Sequence, residues 1–72
     1  MKTRLNVAIE NYKREQERLK RKKKECEWYL EKGQNTEQTR KIVQRDLESY
    51  RTQLRLITRI INDLEWIGRG EA

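Results

Sequence analysis

Apolar side chains recur along the second half of the chain in one unbroken rhythm. Val43, Leu47, Tyr50, Leu54, Ile57, Ile61 and Leu64 follow one another at alternating steps of four and three residues. That spacing puts them on one stripe of a single helix, a heptad seam. The first half repeats the pattern in Leu5, Ile9, Tyr12, Gln16, Leu19, Lys23, Cys26 and Leu30. In heptad lettering, residues 9, 16, 23 and 30 are a positions and 5, 12, 19 and 26 are d positions. Gln16 and Lys23 are thus polar a residues, which weaken a seam while fixing its register and partner number.

Helix start and stop signals sit between the two stripes. Gly33 is placed as the left-handed residue that ends a helix, and Lys32 in the last turn complements the dipole. Asn35 is the expected N-cap of the next helix, with Gln38 three residues on and Glu37 in its first turn. Thr3 is the expected N-cap of the first. So short a connection forces antiparallel neighbours. The prediction is an all-α hairpin forming one domain over 1–72: a helix over about 3–32, a turn at 33–35, a helix over about 36–67 and a frayed tail at 68–72. Each helix would be ~45 Å long.

The rival is one continuous helix in a parallel coiled coil. An uninterrupted seven-residue step does run from Leu5 through Gly33 to Ile61. The companion row breaks, however, lying four residues after this series in the first half and three after it in the second. With Gly33 and the caps, that shift favours the hairpin.

A turn at 33–35 pairs residues whose numbers total about 66–68. Ile9 would then face Ile57, Leu5 face Ile61, Tyr12 face Leu54 and Leu19 face Leu47. Gln16 would meet Tyr50 in a polar layer, with Ala8 beside Ile60 and Lys22 beside Asp46. A second apolar flank remains: Ile42, Leu56, Ile60 and Ile67, with small Ser49 among them. Two helices cannot cover so wide a face. A second copy would cover it, giving an antiparallel four-helix bundle of two hairpins; another protein's helix laid in a groove is the alternative.

Composition fits this picture. Of 72 residues, 42% are charged and 33% hydrophobic, with no Pro and Gly only at 33, 68 and 70. That is the balance of long helices around a thin core, and a core of this size supplies only ~3–5 kcal/mol. Cys26 is the only cysteine, which suits a reducing compartment. The N-terminal residues lack the apolar run of a signal peptide, and nothing approaches a membrane span. A soluble, cytoplasmic protein is expected.

Catalytic chemistry finds little to work with. There is no His, and the carboxylates lie among Lys and Arg on solvent-facing positions. Cys26 has Lys22 and Lys23 a turn away, which would lower a thiol pKa, yet it occupies a d position where a buried, inert cysteine is the ordinary outcome. No enzyme activity, metal or cofactor is expected.

Charge is more informative. The net charge is +6, and Lys20-Arg21-Lys22-Lys23-Lys24 is a run of five cations. Residues 13–24 carry eight basic and two acidic side chains, and residues 40–59 carry six and two, so the hairpin has a basic waist and mildly acidic ends. Arg14, Arg18, Lys20, Arg21, Lys24, Arg45 and Arg55 would offer phosphate contacts there. The plainer reading is a solvated helix laced by Glu10–Arg14 and Glu17–Arg21 pairs. Trp28 and Trp66 both fall on f positions, opposite the seam. Trp is enriched at interface hot spots; packing on Lys24 and Arg21 is the local alternative for Trp28.

The sequence therefore reads as a small basic interaction protein, a regulator, adaptor or inhibitor acting on a macromolecular partner. Its size and character suit accessory proteins of phages and mobile elements. Direct binding of RNA or DNA by the waist is the second reading, and a structural rod the third. In architecture such a paired hairpin resembles the plasmid ROP-type RNA-binding dimer, in which outward residues of paired helices grip RNA. No motif carries over from that resemblance.

Overall fold

The computed structural model describes residues 3–33 and 36–70. Two helices, α1 (Arg4–Lys32) and α2 (Glu37–Gly70), pack against each other as an antiparallel hairpin. The molecule is a rod of 54 × 19 × 14 Å. The continuous-helix alternative is excluded by the reversal at Gly33, whose backbone is left-handed at φ 69° and ψ 15°. A side chain there would be strained, which is why glycine ends this helix.

The N-caps are set by local hydrogen bonds. Asn6 N–H donates to Thr3 Oγ1 at 3.1 Å, as expected of an N-cap threonine. For α2 the side chain of Thr36 caps the helix; Asn35, the expected cap, lies outside the described residues. Thr36 Oγ1 accepts from Thr39 N–H at 3.2 Å, and Thr36 O accepts from Arg40 N–H at 2.9 Å. Thr36 directly precedes the first helical residue, so its oxygen is the one placed to accept from the third helical amide.

The seam rows face each other, but one heptad out of the expected register. Gln16 Nε2 donates to Thr58 Oγ1 at 2.9 Å, about two turns beyond Tyr50. Lys13 reaches Glu65 at 3.9 Å and Glu27 reaches Arg51 at 4.0 Å, both consistent with the same offset. α1 ends at Lys32 and α2 begins at Glu37, and the offset is read from these contacts between the helices. Sliding by seven residues still sets a rows against d rows, so the seam survives the shift.

Burial is concentrated at three points. Leu19 is 0% exposed, Ile61 4% and Leu47 6%. Leu5, Ile9, Cys26 and Leu30 on α1, and Val43, Tyr50, Leu54, Ile57 and Leu64 on α2, are half-buried. Gln16 and Lys23 are also half-buried, and Tyr12 at the seam's edge is exposed. The tail expected to fray is helical as far as Gly70. Its reason is close packing: a Cβ on Gly68 would stand 3.1 Å from Leu5 Cδ2, so this glycine lets the start of α1 lie directly on α2.

Leu19→Ala empties the best-packed point of the rod, at a cost of ~2–5 kcal/mol. That is comparable with the whole stability of a core this small. Circular dichroism melts should show loss of the cooperative transition near room temperature, while Val7→Ala, 44% exposed and off both edges, should shift the midpoint little.

Candidate binding surfaces

Heptad geometry gives the rod two edges. The e residues of both helices (Lys13, Lys20 and Glu27 on α1; Arg51, Thr58 and Glu65 on α2) share one edge. The g residues share the other, where Ile60 and Ile67 of α2 lie next to the c residues Ile42 and Leu56. The two edges differ in chemistry.

The e edge is polar and joined across the helices by the Lys13–Glu65 and Glu27–Arg51 ion pairs and the Gln16–Thr58 hydrogen bond. Between them lies an open groove of about 440 Å³ lined by Lys20, Lys23, Arg51, Leu54, Arg55 and Thr58. Lys20 is 3.7 Å from Glu17, and Arg51 is 2.8 Å from Glu48. Lys23 and Arg55 form no ion pair among the described residues.

The g edge is open, and its α2 side carries a strip of exposed aliphatic side chains. Ile42 is 55% exposed, Leu56 54%, Ile67 42% and Ile60 36%. Polar neighbours there satisfy one another. Gln53 Nε2 donates to Ser49 Oγ at 3.0 Å, and on α1 Lys22 pairs with Glu25 at 3.8 Å. Arg18 grips Glu15 through one short charge-assisted bond from Nη2 to Oε1, and its Nε donates to both carboxylate oxygens at 3.1 Å. This bond first, and the guanidinium charge with it, holds the Glu15 carboxyl below its usual range.

The expected basic waist is therefore divided. Lys20 and Arg55 enter the groove, while Arg18 is committed to Glu15 on the opposite side. Arg14, Arg21 and Arg45 are exposed on f positions away from both edges. Glu17 pairs with Lys20 instead of Arg21. Lys23 and Arg51 were not among the expected binding residues. Lys23 looked like a register-setting seam residue, and only the true helix register reveals that Arg51 lies across from it.

The aromatic residues occupy separate places. Trp28, 55% exposed, meets Tyr29 edge to face at 5.7 Å and 86° instead of lying under a cation. Lys24 and Glu25 complete an open recess of about 430 Å³ with these two rings. Trp66 is 70% exposed near the far end of α2.

Cys26 lines a recess of about 220 Å³ with Lys22, Tyr29, Val43, Asp46 and Tyr50 among its neighbours. Burial pushes the thiol pKa up, and the Asp46 and Glu25 charges push it further, against a smaller opposing effect of Lys22. A raised pKa means less thiolate at any given pH, so this is not an activated nucleophile. Among the described residues, no three Cys, Asp or Glu side chains converge as a metal cage. No helix among them is long and apolar enough to cross a membrane.

Comparison with protein-family models, curated proteins and solved structures gives no match.

Alkylation of Cys26 by iodoacetamide near pH 8 should run several-fold slower in the folded protein than in urea, since the folded thiol is the weaker acid. Equal rates, followed by mass spectrometry, would show that the thiol is neither buried nor electrostatically suppressed.

Proposed function

We propose that this chain is a non-enzymatic interaction protein that works as a pair of hairpins. Two copies join through the Ile42, Leu56, Ile60 and Ile67 flank into a four-helix bundle, which then engages a macromolecular partner in a cytoplasmic setting. The observation that carries the reading is the contrast between the two edges. One is bridged by ion pairs, whereas the other leaves four large aliphatic side chains open to water beside the seam. Each is already about half covered, so a mate adds about half of the ~1.5–3 kcal/mol of full burial; for the four together that is comparable with the whole core of a single hairpin.

Other features fit. In the middle of the flank Ser49 and Gln53 hydrogen-bond each other, while Asp46 and Asp63 within the strip and the Arg18–Glu15 and Lys22–Glu25 pairs of α1 beside it supply charges for a polar rim. The flank continues the d row of the seam, so a mate would extend one core instead of building a second. Trp66 and Ile67 lie beside one another toward one end of this face, placed as anchors for the mate or a further partner.

Sedimentation equilibrium across about a hundredfold range of protein concentration tests the reading. A reversible dimer is expected, and Leu56→Lys with Ile60→Lys should give a monomer that keeps its helical spectrum. A wild-type monomer at every concentration would reject self-association, and the flank would then be a groove for another protein's helix.

A further inference from the structure

We propose that the groove on the e edge is a binding site for the phosphodiester backbone of nucleic acid. Its cations are Lys20 and Lys23 of α1 with Arg51 and Arg55 of α2. The site is on the edge opposite the apolar flank and does not depend on self-association.

Three observations lead to it. The first is uncompensated charge. Lys23 stands in the a row of the seam between Gln16 and Leu30, a half-buried residue that lines the groove. Neither it nor Arg55 has a carboxylate within ion-pair distance among the described residues. The acids near the groove are already engaged on its rim, Glu17 by Lys20 and Glu27 and Glu48 by Arg51. The groove is thus a place where charge is owed an anion.

The second is spacing. Each helix contributes two cations one turn apart, Lys20 with Lys23 and Arg51 with Arg55, at the ~5–6 Å separation of helical i,i+3 and i,i+4 neighbours. Two parallel rows of this kind suit a chain of successive negative charges better than one compact anion, and the groove is open along the rod. Thr58 adds a hydroxyl at the groove; its oxygen accepts from Gln16, so its proton is left to donate to a phosphate oxygen.

The third is the field around it. Residues 13–24 and 40–59 hold most of the positive charge of the chain, and both segments contribute to the groove. Such a concentration steers polyanions to the site. The exposed aromatic pair Trp28 and Tyr29 lines a different recess, so the groove offers no stacking platform. Binding should be to backbone and indifferent to base sequence.

The test is fluorescence anisotropy of labelled duplex DNA, duplex RNA and single strands over about 50 to 200 mM salt. With about four phosphate contacts, duplex affinity should fall on the order of a hundredfold across that range. The Lys23→Gln, Arg55→Gln double variant should bind at least tenfold more weakly, with the slope of log affinity against log salt flattened by about two. The control, Arg14→Gln with Arg45→Gln, removes the same charge outside the groove and should keep the wild-type slope. Circular dichroism verifies that both variants fold. An equal loss in both variants would show a diffuse charge effect and overturn the site, as would no binding by the wild type at the lowest salt. Displacement by polyglutamate at lower charge concentration than by unlabelled duplex would reassign the groove to an acidic protein and also overturn the proposal.

Discussion

The seam between the two packed helices is the constraint on which the rest of this molecule depends. Along it α2 lies one heptad from the pairing that the positions of the stripes suggest, so that Gln16 meets Thr58. Because the seam repeats every seven residues, its hydrophobic content barely changes on sliding. What changes is the set of side chains that meet at the edges. Gln16 finds Thr58, Lys13 finds Glu65, and Lys23 comes to share a groove with Arg51 and Arg55.

This explains what could be read from the sequence. The two stripes, the cap at Thr3 and the left-handed stop at Gly33 are local signals, and all three are where the pattern put them. Register is not a local signal. A perfectly periodic seam leaves it undetermined modulo seven, so Gln16 was matched to Tyr50 when its partner is Thr58. The end of α2 was missed for a related reason. Gly68 and Gly70 look like fraying residues until Leu5 is seen to press on Gly68, a contact that depends on the register. The apolar flank was legible because it needs only helical periodicity, and Ile42, Leu56, Ile60 and Ile67 are indeed exposed. The basic waist was legible as a quantity of charge but not as a shape.

Ion pairs across the e edge do little for stability. Lys13, Glu65, Glu27 and Arg51 are substantially exposed, and pairs of that kind contribute ~0–1 kcal/mol. Their effect is one of occupancy. By engaging the acids at the two ends of this edge they leave its middle cationic. The exposed aliphatic side chains of α2 lie on the other edge, so the two kinds of surface are kept apart along a single rod.

Close packing of Leu5 on Gly68 has a mechanical consequence. It holds the two described ends of the chain side by side, with the reversal at the opposite end of a 54 Å rod. Tension applied through those ends would act across the seam, not along it. The helices would peel apart one layer at a time, from Leu5 toward Gly33, with each step resisted by a single pair of rungs. Pulled this way the hairpin is a zipper that yields at low force.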